Sequence, residues 1–209
     1  MHLPAIVDER KERKHQGQWL SFDEIQFTDP ISQQRRRWEY VERANHSHQN
    51  VDAVEILAIV KRQFKEDHII LVIQYRPPTR SYCIELPAGL IDHGETVEQA
   101  AGRELKEETG YTFNRVVAIT PTLFYEPGLT NSDAKVIHVE VDGDAPENKE
   151  PKPALESDEW SLKTVLLPTH NLYDYLAQLN KERGIAIDGK LYSFAYGLQM
   201  HRPGSPIRP

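Results

Sequence analysis

One stretch of this chain constrains its fold and its chemistry more than any other. Residues 89–111 read GLIDHGETVEQAAGRELKEETGY, which contains six carboxylates, one arginine and four glycines. With U for a bulky apolar residue, the pattern is G-x5-E-x7-R-E-U-x-E-E-x-G-U. Thr96 followed three residues later by Gln99 is typical of a capping box, and Gly110 suits a left-handed helix end. The stretch therefore predicts a helix over residues 97–109.

Two acids of that helix share a face with its apolar residues. At about 100° per residue, one stripe contains Val97, Ala100, Ala101 and Leu105. Glu104 and Glu108 fall inside this stripe, so both carboxylates are expected to face inward. Buried carboxylates need a partner, and like charges four residues apart repel each other. Mg²⁺ prefers carboxylate oxygens and usually sits against substrate phosphates. The helix therefore predicts a metal site, and an acidic solvated face is the weaker alternative.

The pattern resembles the Nudix box. Its fixed positions are Gly89, Glu95, Arg103, Glu104, Leu105, Glu107, Glu108, Gly110 and Tyr111. Tyr111 is a departure, because the box usually has an aliphatic residue there. Other segments resemble the ADP-ribose pyrophosphatase branch of the Nudix family. They are GQW at 17–19, RRWEYVER at 36–43, QYRPP at 74–78, YCIELPAGLID at 82–92 and EPGLTN at 126–131.

Periodicity and turn residues predict the remaining elements. Strands are expected over 18–27, 35–43, 54–60, 69–75, 81–86, 116–120, 122–125, 136–141 and 160–167, with a loop over 143–158. Two further helices are expected over 172–183 and 190–200. The resemblance implies an α/β class and the Nudix fold, an α/β/α sandwich with a mixed β-sheet, plus an N-terminal β arm. The expected organisation is a dimer-forming β-hairpin arm over 1–50, a Nudix hydrolase domain over 51–201 and a disordered tail over 202–209.

The box acids carry the expected metal chemistry. Glu104 and Glu108 are the main ligands in this interpretation, and Glu107 is an additional ligand or an orienting group. The resemblance adds the Ala88 carbonyl as a backbone ligand. Arg103 lies four residues before Glu107 and is expected to orient it through an ion pair. The cofactor is expected to be Mg²⁺, with Mn²⁺ as an alternative.

The general base is expected outside the box, in the acidic segment ALESDEW at 154–160. By similarity to the family, where an acid precedes an aromatic residue, Glu159 before Trp160 is the predicted base. An ordinary solvated acidic loop is the alternative.

The substrate residues follow from the resemblance and from the needs of ADP-ribose. They are Trp19, Trp38, Glu39, Arg43, Arg76, Glu126 and Gly128. In the family the N-terminal arm is exchanged between subunits so that tryptophans sandwich the adenine, and a role in a dimer core is the alternative for either tryptophan. Glu39 and Arg43 are expected at the base edge, and Gly128 near the terminal ribose. Arg76 is expected to grip the diphosphate, with a surface ion pair as its alternative.

The predicted function is Mg²⁺-dependent hydrolysis of the diphosphate of ADP-ribose, and of other ADP-sugars, to AMP and ribose 5-phosphate. Two alternatives stay open: action on other nucleoside diphosphate derivatives such as oxidised guanine nucleotides, and a noncatalytic ADP-ribose-binding module. Such modules typically lose the box acids, which this chain keeps. The box recognises only a metal-bound diphosphate, so it does not choose the substrate.

Composition is consistent with a soluble enzyme. The 209 residues include 39% hydrophobic residues, enough for one good core, and the net charge of −7 argues against nucleic-acid binding. Cys83 is the single cysteine, so no internal disulfide forms, and no apolar run approaches membrane-spanning length. A cytoplasmic homodimer is expected, with nuclear access left open. His46, His48 and His93 are expected in loops and not as ligands.

Overall fold

A computed structural model describes residues 4–6, 9–44 and 51–201 of the chain. The expected tail over 202–209 and the two loop histidines His46 and His48 lie outside the described residues. The chain divides into two compact units. The first comprises Met1–Asp52 and Pro121–Ala134, and the second comprises Ala53–Thr120 and Lys135–Pro209.

Twelve strands and four α-helices are found in the described residues. The strands are β1 Arg10–Gln16, β2 Leu20–Thr28, β3 Arg35–Arg43, β4 Ala53–Lys61, β5 His68–Arg76, β6 Ser81–Glu85, β7 Ala88–Leu90, β8 Arg115–Ile119, β9 Leu123–Phe124, β10 Asp133–Asp142, β11 Lys163–Pro168 and β12 Ala186–Ile187. The helices are α1 Val97–Thr109, α2 Pro146–Lys149, α3 Leu172–Arg183 and α4 Gly189–Met200. None of the described helices is long and apolar enough to cross a membrane.

The first unit contains a three-stranded antiparallel sheet in the order β1-β2-β3. The sequence predicts only the β2–β3 hairpin, so β1 is an addition to it. Charge pairing holds β1 in place, because Lys11 reaches Asp23 at 3.3 Å and also pairs with Glu42, while Arg13 reaches Asp23 at 3.0 Å. The Asp23 carboxylate is fully buried. Its burial opposes ionisation, but hydrogen bonds from Arg13, Ser21 and Lys11 outweigh that effect and hold its pKa below the ordinary value.

The second unit is built on a mixed sheet in the order β12-β6-β5-β4-β10-β8. Strand β11 pairs with β5, and β7 pairs with β4, both antiparallel. The β12–β6 pair is parallel, which makes the sheet mixed. Consecutive side chains of a strand point to opposite faces of the sheet, so strand β4 contributes apolar side chains to both faces.

One face of β4 packs against α1 and the other against α3 and α4. Val54, Ile56, Ala58 and Val60 belong to the core that contains Ala100, Ala101 and Leu105 of α1. Ile59 belongs to the second core, with Leu172 and Leu176 of α3 and Leu191 and Ala195 of α4. The second unit is therefore a helix–sheet–helix sandwich. The predicted α/β class, with a mixed sheet between helices, is confirmed.

Some predicted boundaries were wrong. The strand expected over 160–167 begins at Lys163, because the chain before it forms the short 3₁₀ helix Ser157–Glu159 and a turn. The loop expected over 143–158 contains the short helix α2. Strands β7 and β12 have only three and two residues, too few for an alternating pattern to appear.

Candidate active site

Helix α1 begins and ends as the sequence predicts. The Thr96 hydroxyl accepts the Gln99 backbone N–H at 3.2 Å, and the Gln99 side chain accepts the Thr96 N–H at 2.8 Å. Gly110 ends the helix with φ 76°, and its N–H donates to the Lys106 carbonyl. A Cβ at Gly110 would lie 2.3 Å from the Lys152 nitrogen, so a side chain has no room there. Both ends of the acidic helix are thus fixed by local chemistry.

Glu108 is a buried carboxylate, with 3% of the residue exposed. The backbone N–H of Ala88 donates to its Oε2 at 3.1 Å. Burial raises the pKa of Glu108 to about 8; the Ala88 N–H opposes this shift, and the charges of Glu159 and Glu104 add to it. Burial likewise raises the pKa of Glu104, while Arg103 opposes that shift. Burial is therefore the main cause of both raised pKa values.

The strand β7 backbone passes directly beside Glu104. A Cβ built on Gly89 would lie 1.9 Å from both the carboxylate carbon and Oε1 of Glu104. No side chain fits there unless Glu104 moves. The fixed glycine of the box therefore has a steric reason: it lets the backbone approach the carboxylate that the helix presents.

Arg103 connects the acids of the box. Its guanidinium binds Glu95 through two hydrogen bonds, Nε to Oε1 and Nη2 to Oε2, both 2.9 Å. It also donates to Glu104 at 2.7 Å, to Glu107 at 3.3 Å and to the Leu90 carbonyl at 3.0 Å. The hydrogen bonds to Glu95 raise the pKa of Arg103, so it stays charged. The predicted contact with Glu107 is present, but Glu95 and Glu104 are the closer partners.

Glu95 is a residue to which the sequence argument gave no role. Its fixed place in the box pattern was the available signal. Its carboxylate also accepts the Asp92 N–H at 3.1 Å, which ties the loop before α1 to Arg103.

The donor set suits a hard divalent cation. The carboxylates of Glu104 and Glu108 lie close to the Ala88–Gly89 backbone. Glu107 follows on the same helix and accepts a hydrogen bond from Arg103. Among the described residues, no group of three or more His, Cys, Asp or Glu side chains is arranged to hold a metal ion. Mg²⁺ does not need such a group, because it usually keeps several waters and binds through one or two carboxylates plus substrate phosphates. The residues therefore fit the predicted ion.

Arg76 forms an ion pair with Glu85, the alternative that the sequence left open. Its Nε lies 3.0 Å from Glu85 Oε1, and its Nη2 lies 2.6 Å from Oε2. These bonds raise the pKa of Arg76, and the charge of Glu108 acts in the same direction. Nη1 makes neither of these bonds. Glu85 was not predicted; the β5–β6 hairpin register, which pairs Val72 with Glu85, places it on this sheet surface.

Glu159 lies close enough to α1 to act on both inward acids. Its charge raises the pKa of Glu108 and of Glu104. Its carboxylate also accepts the Glu156 N–H at 2.7 Å, across the 3₁₀ turn that carries it. The next residue, Trp160, is 71% exposed. The predicted general base and the predicted metal ligands thus lie in the second unit. The residues predicted to bind the adenine lie in the first unit.

The predicted base-binding residues belong to the first unit. The Trp38 indole N–H donates to the Gly128 carbonyl at 3.0 Å, and the Val41 N–H donates to the Leu129 carbonyl at 2.9 Å. Trp38 and Trp19 nevertheless remain 52% and 72% exposed. The other substrate candidates of this unit are Glu39, Arg43, Glu126 and Gly128, and all four are exposed. Within this unit the structure therefore brings Trp38 and Gly128 together.

Comparison with known proteins decides the family, because the NUDIX domain profile matches residues 51–184. The chain belongs to the Nudix family. An ADP-sugar pyrophosphatase of Mus musculus is 37% identical over 91% of this chain and 85% of its own length. An ADP-ribose pyrophosphatase of Saccharomyces cerevisiae is 38% identical over 87% of this Nudix chain and 78% of its own length. The resemblance to the pyrophosphatase branch is confirmed.

The fold comparison agrees with the family. A crystal structure of an ADP compounds hydrolase superposes with a TM-score of 0.61 at 22% identity, covering 94% of this Nudix chain and 92% of the other. At that identity the match supports the fold alone. The expectation that the chain is an enzyme is confirmed by the family and the two relatives. The roles of its individual residues stay predictions.

Proposed function

We propose that this Nudix enzyme hydrolyses the diphosphate of ADP-ribose to AMP and ribose 5-phosphate, and that it accepts other ADP-sugars. The observation that carries the proposal is the pair of inward carboxylates on α1. Glu104 and Glu108 face the Ala88–Gly89 backbone, and Arg103 holds the first of them at 2.7 Å. The names of the mouse and yeast relatives support ADP-sugars as the substrate class.

Mg²⁺ is the proposed cofactor, with Mn²⁺ as an alternative. Glu104 and Glu108 would hold it, with Glu107 and the Ala88 carbonyl as further ligands. When bound, such an ion neutralises phosphate oxygens and lowers the pKa of a water ligand. Arg103 serves this site by fixing Glu104 and Glu107 in place.

The reaction needs a group that accepts a proton from the attacking water, and Glu159 is proposed for this role. The oxygen of water forms a bond to one phosphorus of the diphosphate while the bond from that phosphorus to the bridging oxygen breaks. The attacking water gives its proton to the carboxylate of Glu159 as general base. Arg76 binds the diphosphate through N–H groups that Glu85 does not occupy.

The first unit supplies the proposed base-binding residues. Trp19 and Trp38 stack on the adenine, each contact being worth roughly 1 to 3 kcal/mol. Glu39 and Arg43 bind the edge of the base, and Gly128 lies near the terminal ribose. Glu126, in the same segment as Gly128, is a further proposed substrate contact. The arm over residues 1–50 is proposed to join two copies of the chain, and a cytoplasmic location is proposed for the dimer.

The test is a panel of AMP or phosphate-product assays with Mg²⁺ and with EDTA. The substrates are ADP-ribose, an ADP-sugar, an oxidised guanosine diphosphate and NADH. The expected result is the highest kcat/KM on ADP-ribose, with all turnover lost in EDTA. Equal rates on every compound would reduce the assignment to a general Nudix diphosphatase. Nucleotide binding without turnover would instead identify a noncatalytic binding module.

A further inference from the structure

A serine hydroxyl forms a hydrogen bond just beyond the last paired residues of strands β5 and β11. These antiparallel strands pair from His68 with Pro168 up to Ile73 with Lys163. Two residues further along each strand, Tyr75 lies opposite Ser161, and the Tyr75 N–H donates to the Ser161 Oγ at 3.0 Å. A side-chain oxygen thus takes the place of the backbone carbonyl that would continue the ladder. Ser161 is buried, with 9% of its surface exposed.

The turn that carries Glu159 comes directly before Ser161, and the chain enters β11 two residues later, at Lys163. The Leu162 N–H donates to the Glu159 carbonyl at 2.8 Å, and the Glu159 N–H donates to the Glu156 carbonyl at 3.1 Å. The Glu156 N–H in turn donates to the Glu159 carboxylate at 2.7 Å. The turn is therefore internally hydrogen-bonded, and its direction depends on how the chain enters β11.

The same segment is tied to α1 on either side of the turn. The Ala154 N–H donates to the Glu107 carbonyl at 2.7 Å, and the Thr164 hydroxyl donates to the Glu108 carbonyl at 3.2 Å. On the turn itself, Leu155 and Trp160 are 38% and 71% exposed, and the buried apolar residue of the segment is Leu162, directly after Ser161. A segment with few buried apolar contacts depends on its hydrogen bonds for its position.

We propose that Ser161 is a positioning residue for hydrolysis, because its hydroxyl accepts the Tyr75 N–H and so directs the Glu159 turn toward α1. This inference rests on the proposed function, in which Glu159 is the base. Alanine at position 161 has no side-chain acceptor, so the Tyr75 N–H would lose its present partner. The strand would then have to shift or admit water, and Glu159 would move with it.

The first test compares three single variants at saturating Mg²⁺ over a range of ADP-ribose concentrations, which gives kcat and KM for each. Ser161→Ala is expected to lower kcat roughly 10- to 100-fold with little change in KM, because small misplacements of a catalytic group cost about that much. Ser161→Thr keeps the hydroxyl and is expected to recover most of kcat. The matched control is Ser193→Ala, which removes the hydroxyl that donates to Gly189 within α4 at 2.8 Å. It is expected to leave both constants unchanged.

The second test places Ser161→Ala in a Glu159→Gln background. If the hydroxyl acts through Glu159, Glu159→Gln lowers kcat strongly and the added Ser161→Ala has almost no further effect. Additive losses, or a Ser161→Ala enzyme with wild-type kcat, would overturn the inference while leaving the base assignment in place. A Glu159→Gln enzyme with wild-type kcat would instead overturn the base assignment, and the role of Ser161 with it.

Thermal unfolding of each variant distinguishes a displaced Glu159 from a destabilised fold as the cause of a lower kcat. Should Ser161→Ala be poorly folded, Ser161→Thr decides the question. A folded threonine variant with high kcat supports the inference, and a folded threonine variant with low kcat contradicts it.

Discussion

At the residue scale, the site depends on close approaches that leave no room for substitution. Gly89 faces the Glu104 carboxylate, and Arg103 binds that carboxylate together with Glu95 and Glu107. The box pattern predicts which residues take part. It does not predict that Glu95 is the bidentate partner of Arg103, because that contact depends on the conformation of the loop before α1.

Gly89→Ala tests the close approach. The added methyl would lie 1.9 Å from the Glu104 carboxylate carbon, so Glu104 must move. The expected result is a fall in kcat of about tenfold or more. The control is Gly197→Ala in α4, where an added Cβ meets nothing within 4 Å. The control should keep full activity and gain about 0.5 to 1 kcal/mol of stability. Full activity in Gly89→Ala would contradict the described geometry.

His138 on β10 gives the second unit a pH dependence. Burial lowers its pKa below 6.5; Glu140 opposes the shift, and Lys61 and Arg115 add to it. The unfolded chain therefore takes up the proton first, and the free energy of unfolding falls as the pH drops through about 6.5. Urea unfolding between about pH 7.5 and 5.5 should show a steeper loss for wild type than for His138→Gln. Parallel curves would show that His138 does not contribute.

At the element scale, α1 is the part that the sequence predicts best, from its capping box to its terminal glycine. Strand β1 was missed because its sequence RKERKHQ is almost entirely charged or polar, and the strand is held by ion pairs to Asp23 and Glu42. A hydrophobic pattern cannot reveal such a strand. The contact of Arg76 with Glu85 was missed because it depends on the β5–β6 register, which only the folded sheet supplies.

Thr96→Ala tests whether local capping sets the stability of α1. The substitution removes the acceptor for the Gln99 N–H and should cost about 1 kcal/mol. Thr96→Ser keeps the hydroxyl and should unfold near the wild-type urea midpoint. Neither change touches the acids, so activity per folded molecule should be unchanged. An alanine variant as stable as wild type would show that tertiary packing alone holds the helix.

At the scale of the whole molecule, the open question is assembly. The first unit exposes Trp19, Leu20 and Trp38 at 72%, 51% and 52%. Exposed apolar side chains grouped on one unit favour an interface. This supports the proposed homodimer through the arm.

Sedimentation equilibrium tests the dimer. The wild-type chain should have twice its monomer mass of 24.1 kDa. Leu20→Glu places a charge among the exposed apolar residues and should shift the protein toward monomer. The control is Phe64→Glu, at a 97% exposed position of the second unit, which should remain dimeric. A monomeric wild-type protein at micromolar concentration would exclude the proposed assembly.

The central claim is that the inward acids of α1 perform the chemistry of diphosphate hydrolysis. The most direct measurement is AMP formation from ADP-ribose with Mg²⁺, comparing wild type with Glu108→Gln. Glutamine keeps an oxygen that can accept the Ala88 N–H and carries no buried charge, so the fold should survive, as thermal unfolding will show. If Glu108 is essential for hydrolysis, the variant is folded and shows no measurable turnover. A folded Glu108→Gln enzyme that forms AMP at close to the wild-type rate would contradict that role.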